Sequence, residues 1–390
     1  MDLSKYRSDL YHCLHCHLCY AVNWQKIDEW RFICPTAARF GFESFNAAGR
    51  IEIARAIIEG NLVEKTEKLL DIFYSCTGCN GCMEQCHELT GVKTDHTRLF
   101  EDIKAFFVEK GWGPLPKHLE FGKSIIENHN PYNEPHEKRF DWLDKKIRSD
   151  SSLIYFVGCT SSYRQQAIAK ATVKILEKSD VPFTILDSDE WCCGSPIIRT
   201  GQLGEVKKIA IHNVESIQNI GAKKVIFSCA GCFNTFKNDY KRLGLEFNFK
   251  IYHTSQFFLE LLRQHKMNVR DLKKVVTYHD PCHLGRHSNV YKQPRKVLNY
   301  LNVDFHEFQR NSKESFCCGA GSGVRAAYPE FAKWTAKNRL DEVNETGADI
   351  LVSTCPFCKN NFVETKSESS EYNFEIMDLS ELLLEALNDK

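Results

Sequence analysis

The sequence predicts an α+β protein with an all-α N-terminal domain followed by a pair of pseudo-symmetric α/β lobes whose sheets are mainly parallel. Three observations lead there. The first hundred residues carry cysteine groups separated by segments with helical apolar spacing. A proline-bearing stretch comes next. The remainder then repeats one pattern twice, short β-branched runs alternating with amphipathic segments, which is the mark of an internal duplication of α/β units.

At 390 residues, 43% hydrophobic and 26% charged, the chain is long enough for two or three domains and has the composition of an ordinary globular protein. Fifty-one basic residues balance fifty-one acidic ones, so no global field draws it to nucleic acid or to an anionic membrane surface. The longest apolar runs are short strands such as Leu153–Val157, too short for direct membrane insertion. Eighteen cysteines arranged as C-x-x-C and Cys-Cys groups, with no signal peptide at Met1, point to a reducing, cytoplasmic setting and not to a disulfide scaffold.

The N-terminal domain, residues 1–111, contains Cys76-Thr-Gly-Cys79-Asn-Gly-Cys82 with Cys86 beyond it, preceded by Cys13-Leu-His-Cys16-His-Leu-Cys19 and, after a gap, Cys34-Pro35. Three thiolates at C-x2-C-x2-C spacing plus a fourth suit a [4Fe-4S] cubane better than zinc, which is satisfied by two distant pairs. Paired motifs of this kind exchange their last ligands. Cys13, Cys16, Cys19 and Cys86 are therefore assigned to one cubane, and Cys76, Cys79, Cys82 and Cys34 to the other. Two features depart from a compact ferredoxin pattern, the insertion from Tyr20 to Ile33 and His87 in place of proline. Arg50–Glu59, stopped by Gly60, and Val63–Tyr74 have helical periodicity, so this ferredoxin-like domain is helical. His12, His15 and His17 read as polar neighbours of the ligands more readily than as ligands.

Residues 112–152, with Pro114, Pro116, Pro131 and Pro135, read as an extended linker, and Trp142 is a candidate staple onto the duplicated half. The first lobe, 153–270, carries Cys159, Cys192, Cys193, Cys229 and Cys232. The second, 271–390, carries Cys282, Cys317, Cys318, Cys355 and Cys358 in nearly the same register. The repeat continues past the cysteines, with Ile251–Leu262 aligning to Ile376–Leu387. Runs such as Lys224–Ser228 and Asp349–Ser353 are strands; Gln165–Glu177, Val206–Ile220 and Ala327–Val343 are helices. The cysteines then fall at carboxyl ends of parallel strands, where open α/β sheets place ligands, and the lobes face one another across a shared cleft. Five cysteines per lobe exceed the four that zinc or a cubane needs, which points to an unusual cluster; a redox-active vicinal dithiol is the rival. Gly194 and Gly319 after the pairs, with Gly321 and Gly323, allow the backbone to approach and aim N–H groups at sulfur. Trp191, His279 and His283 flank these cysteines and read as packing around them ahead of a proton-donating role for either histidine.

The set Cys159, Cys192-Cys193-Gly194, Cys229-Ala-Gly-Cys232, repeated as Cys282, Cys317-Cys318-Gly319, Cys355-Pro-Phe-Cys358, resembles the cysteine-rich CCG domain of heterodisulfide reductase catalytic subunits. With the N-terminal motifs, essentially the whole chain resembles the fused D-type subunit of that family. The resemblance implies two noncubane [4Fe-4S] clusters on the ten cysteines of the duplicated half, two cubane relay clusters on the eight N-terminal ones, and opening of a disulfide in the duplicated half. The stretch Arg31–Ser44 with Gly49-Arg50 is closer to a cytosolic branch serving benzoyl-CoA reductase-type complexes of anaerobic metabolism. Related subunits serve glycolate, lactate and glycerol-3-phosphate dehydrogenases. The expected partners are other flavin- or iron–sulfur-containing subunits and a small disulfide or thiol, with membrane association only through a partner. The alternatives are a stand-alone disulfide reductase, an electron-transfer subunit of a 2-hydroxy acid or acyl-CoA dehydrogenase or reductase, and a zinc-holding scaffold.

Overall fold

A computed structural model describes residues 2–22, 30–91, 95–144, 147 and 151–388. The chain forms two compact units that cut across the segments drawn from sequence. One comprises residues 1–122, 196–203 and 309–339; the other comprises 123–195, 204–308 and 340–390.

The first unit is helical over the described part of its N-terminal stretch. Its main helices are Pro35–Phe40, Ala47–Ile58, Glu67–Tyr74, Gly81–Thr90 and His96–Glu109. Asn46 and Thr66 cap the second and third of these, their side chains accepting from the N–H groups of Gly49 and Leu69. Thr66 explains why the third helix begins at Glu67 and not at Val63. Leu69, Phe73, Phe100, Ile103 and Phe107 bury the apolar faces of the last long helices against Ile51 and Ala54. Only the base of the Tyr20–Ile33 insertion lies within the described residues; 23–29 lie outside them. That base is closed by an antiparallel bridge between Ala21 and Phe32 and by stacking of Tyr20 on Phe32 at 5.8 Å, so Cys34 is returned to the vicinity of Cys19 whatever the length of the insertion.

The linker 112–152 is not extended as expected. Pro116–Asn128 is a helix and His136–Phe140 a 3-10 turn. Proline at the first position of a helix costs nothing, because that N–H has no partner in the helix, so Pro116 marks a start and not an interruption. Residues 145–146 and 148–150 of this stretch lie outside the described residues. Trp142 is buried in the core of the second unit and donates to the Arg139 carbonyl at 3.1 Å.

The second unit contains two parallel sheets. In one, β1 (Leu153–Phe156), β2 (Lys224–Phe227) and β3 (Lys250–His253) lie side by side in that order. In the other, β4 (Val275–Tyr278) is flanked by β5 (Asp304–Phe305) and β6 (Ile350–Ser353), with β7 (Glu375–Asp378) outside β6. The duplication is visible strand by strand: β1, β2 and β3 correspond to β4, β6 and β7, and the counterpart of β5 is reduced to a parallel bridge between Ile154 and Thr184. Helix Gln166–Lys178 of the first repeat packs on Leu379–Ala386 of the second, and Thr254–Arg263 of the first packs on Lys292–Tyr300 of the second. These two contacts are copies of one another under a pseudo-twofold axis, and both repeats share one apolar core.

Each repeat ends in the same strand-to-helix turn closed by a capping box, with His253 accepting from the Ser255 N–H and Asp378 from the Ser380 N–H. The two caps titrate in opposite senses. Burial holds His253 down at about 4, so it caps as a neutral ring. Burial likewise pushes Asp378 up to about 7, although two hydrogen bonds from Ser380 oppose it, and its Oδ2 has no partner. A folded-state pKa above the unfolded one gives stability that is complete below the unfolded value and lost as pH rises through the folded value. Asp378→Asn keeps an oxygen acceptor without the buried charge. Its advantage over the parent in denaturant titrations should grow from pH 4 to pH 7, by up to about 4 kcal/mol.

Candidate functional site

In the first unit the N-terminal cysteines gather into two neighbouring groups. Cys13, Cys16, Cys19 and Cys86 line one cavity, together with His12, His17, Ala47, Ala48 and His96. Cys34, Cys76, Cys79 and Cys82 form the other; burial pushes the Cys82 thiol well above the ordinary range, and the charges of Cys34, of Cys19 from the neighbouring group, and of Cys76 and Cys79 add to it. Cys82 and Cys86 are one turn apart on helix Gly81–Thr90. That single turn, about 6 Å of rise, sends the last cysteine of one motif to the group of the other.

Backbone donors meet these sulfurs at helix starts. Burial pushes Cys19 up to about 12, and the N–H groups of Ala48 and Ala47, at the first turn of helix Ala47–Ile58, oppose it. Cys34 is the residue before helix Pro35–Phe40; burial raises it, while Arg50, Thr36 and the Ala37 N–H pull it down. His15 pairs with Glu52 at 2.6 Å and His17 lies 3.6 Å from Glu43. These histidines thus engage carboxylates.

The second Cys-Cys-Gly turn lies in this unit too. Cys317 and Cys318 are buried, and Gly319, at φ +87°, donates its N–H to Cys317 sulfur at 3.4 Å. The turn presses on the Cys76–Cys79 loop: a Cβ on Gly321 would lie 2.6 Å from the Thr77 carbonyl oxygen, and one on Gly78 2.9 Å from Ser322 Oγ. Glycine is therefore required on both sides of this approach. The glycine expectation holds equally in the second unit, where Gly194, at φ +82°, donates to Cys192 sulfur at 3.5 Å.

The second unit holds the remaining cysteines, four of them just past strand ends. Cys159 opens a helix after β1, Cys229 caps the helix after β2, Cys355 caps the helix after β6, and Cys282 follows β4. Neighbouring thiols shift one another's titration in a run: Cys159 with Cys192, Cys192 with Cys193, Cys193 with Cys232, Cys232 with Cys229, Cys229 with Cys355 and Cys355 with Cys358. The run crosses from one repeat to the other at Cys229 and Cys355. Cys193 is held well below the usual thiol range by donors from Cys192, Cys232 and the Ser195 N–H; Cys355 likewise by Cys229, Cys358 and the N–H groups of Cys358 and Phe357. Cys282 sulfur lies 3.8 Å from His283 Nδ1, His283 stacks on His287, and His279 meets the Phe362 ring edge-on at 4.9 Å.

Two groups here were not foreseen. Arg139 and Glu190, both fully buried, pair at 2.7 Å; Arg139 also donates to Cys159 sulfur at 3.6 and 3.7 Å, and Glu190 accepts from the N–H groups of Val157 and Gly158 at 2.8 Å. Trp191 is sandwiched between His129 at 3.8 Å and His212 at 3.5 Å. Fifty-one residues separate Arg139 from Glu190, and neither carries a motif. The legible sign was a Glu immediately before Trp191-Cys192-Cys193.

Thiols in groups, most of them buried or partly buried, with N–H donors and no carboxylate among the groups themselves, form a donor set for iron and sulfide. Comparison with known proteins agrees. A 4Fe-4S dicluster domain matches residues 9–89, and a cysteine-rich CCG domain matches 153–237 and again 276–363. The D-type subunit of dihydromethanophenazine:CoB--CoM heterodisulfide reductase from Methanosarcina mazei is 41% identical over 329 residues, which cover 82% of this chain and 79% of that one. The chain belongs to the D-type family of heterodisulfide reductase subunits. It is therefore an iron–sulfur oxidoreductase subunit carrying iron–sulfur clusters. The B-type subunit of fumarate reductase (CoM/CoB) from Methanothermobacter marburgensis is 31% identical to this family member, over 81% of the chain and 62% of the relative. A hypothetical protein from Helicobacter pylori, 12% identical with a TM-score of 0.55, covers 88% of this chain and 68% of its own, and shares the fold. Among the described residues of this heterodisulfide reductase relative, no helix is long and apolar enough to cross a membrane.

The Arg139–Glu190 pair gives a prediction. Removing one member of a buried, hydrogen-bonded pair strands the other, at a cost of about 3–5 kcal/mol. Glu190→Gln should lose about that much in chemical denaturation, and adding Arg139→Met to it should recover part of the loss.

Proposed function

We propose that the chain is the electron-transferring and disulfide-reducing subunit of a larger redox complex. It would hold two cubane [4Fe-4S] clusters on Cys13, Cys16, Cys19, Cys86 and on Cys34, Cys76, Cys79, Cys82. Two noncubane [4Fe-4S] clusters would be held by Cys159, Cys192, Cys193, Cys229, Cys232 and by Cys282, Cys317, Cys318, Cys355, Cys358. The observation that carries this reading is the burial of Cys159, Cys192, Cys193, Cys232, Cys355 and Cys358 in both repeats, with Cys159, Cys229 and Cys355 each at the start of a helix that follows a parallel strand. Clusters bound there supply one-electron transfer.

Opening a disulfide takes two electrons and two protons and yields two thiols, so a two-repeat site can receive the two sulfurs separately. The chain supplies the environment for it. Burial excludes water from Cys192, Cys193 and Cys232 and from Cys355 and Cys358; Arg139 and the glycine N–H groups offset negative charge on sulfur. Repeats 153–270 and 271–390 are taken as the two half-sites. The relatives' names as subunits support assembly into a larger complex, in which flavin- or iron–sulfur-containing subunits are the expected partners, and the Arg31–Ser44 stretch favours the branch serving benzoyl-CoA reductase-type complexes.

Anaerobic iron and sulfide analysis should give about sixteen irons per chain; a reproducible value near eight would sink the reading of the duplicated half. Cys86→Ser should alter the EPR signal that Cys13→Ser also alters, and spare the one that Cys76→Ser removes. In single-turnover reduction of a small disulfide, Cys229→Ser and Cys355→Ser should each abolish activity, and the double variant should be no worse. A strong asymmetry between the two would restrict the chemistry to one repeat.

A further inference from the structure

Arg50 and Lys104 are among the most deeply buried cations in the first unit, each 1% exposed. Arg50 donates to the carbonyls of Ile72 at 2.8 Å and Phe45 at 2.7 Å and to Thr36 Oγ1 at 3.2 Å. Thr36 Oγ1 is in turn 3.2 Å from Cys34 sulfur. Lys104 Nζ meets the Arg199 carbonyl at 3.3 Å and Ser322 Oγ at 3.4 Å, and lies over the Tyr74 ring. Among the described residues, no carboxylate lies within ion-pair distance of either side chain. The nearby Glu101 is already committed to Arg199 at 2.8 Å. Two such charges left unpaired in the interior would cost several kcal/mol each.

Their charges act instead on cysteines. Arg50 reaches Cys34 through Thr36 Oγ1, and Lys104 reaches the Cys76–Cys79 loop through Ser322 Oγ, which lies 2.9 Å from where a Cβ on Gly78 would stand. Four thiolates around a [4Fe-4S] core in its oxidised, 2+ state carry a net charge of 2−, which two cations balance; one added electron makes it 3−. The other N-terminal group lies nearer water: Cys16 is exposed, and the neighbouring Glu52 is paired with His15 and Arg55.

We propose that Arg50 and Lys104 are built-in counter-ions of the cluster on Cys34, Cys76, Cys79 and Cys82, raising its reduction potential so that electrons settle there from the cluster on Cys13, Cys16, Cys19 and Cys86. This rests on the ligand assignment made above. In a water-poor site a cation favours the more negative, reduced state far more strongly than in water. Both residues are positioning residues for charge and touch no substrate.

The test is an EPR-monitored redox titration of the anaerobically purified holoprotein, with iron content measured on each sample. Arg50→Met and Lys104→Met should each shift the reduction equilibrium of the signal that Cys76→Ser removes by tenfold or more toward the oxidised form, about 59 mV for one electron. The other N-terminal signal should stay in place, and Arg50→Lys and Lys104→Arg should titrate close to the parent. Met variants that lose iron while the charge-keeping variants retain it also support the counter-ion role, since assembly then depends on charge. Fully loaded Met variants with unshifted midpoints, or iron loss from all four variants alike, would overturn it. If Cys76→Ser left both N-terminal signals intact, the ligand assignment would fall, and the inference with it.

Discussion

Sulfur anions removed from water are the constraint on which this structure depends. Burial alone pushes a thiol toward its neutral form, as at Cys19 and Cys82. The fold answers with backbone N–H groups that cost no side chain. Cys34, Cys229 and Cys355 each immediately precede a helix, Cys159 opens one, and Cys19 accepts from the first turn of another. Parallel β/α topology provides such junctions at every strand end, and the glycine turns at Gly194 and Gly319 add two more. The architecture is in this sense a way of presenting N–H groups to many sulfurs at once.

What could be read in the sequence came from the same constraint. Ligand spacing is local, so the motifs and their strand-end placement were legible, and so was the register of the duplication down to the paired caps His253 and Asp378. Features made by distant or chemically ordinary residues were not. The helix Pro116–Asn128 was obscured because prolines on either side look like a linker in a composition count, although Pro116 occupies the one helical position that welcomes it. Arg139, Glu190, Arg50 and Lys104 belong to residue types that usually face water, and only coordinates reveal that they do not. The return of Cys34 across a long insertion has its physical reason in the bridge between Ala21 and Phe32, which motif spacing does not reveal.

The two repeats have kept their frame and changed their chemistry. At the position before the aromatic residue of each Cys-Cys-Gly turn, one repeat has Glu190, bound to Arg139, and the other has Ser315. Trp191, stacked between histidines, corresponds to Phe316, which is fully buried. His253 and Asp378 perform one capping task with opposite responses to pH. A positive group therefore contacts sulfur directly at Cys159, whereas an imidazole is the neighbour of Cys282. Copies that share a core must conserve the faces that pack together, but the residues around each cysteine are free to differ, so the surroundings of the two cysteine sets are chemically unequal.

The make-up of the first compact unit also bears on the order of events during synthesis. Most of its helices come from the first 122 residues, yet it is completed by 196–203 and 309–339, including the glycine turn that fits against the Cys76–Cys79 loop. A ribosome that has finished the N-terminal motifs has not finished the unit that houses them. The groove against Thr77 and Gly78 stays open to solvent, and to oxygen, until most of the chain has emerged. Nascent chains stalled before residue 339 would thus expose these thiols, which gives assembly a late, well-defined moment at which the site closes.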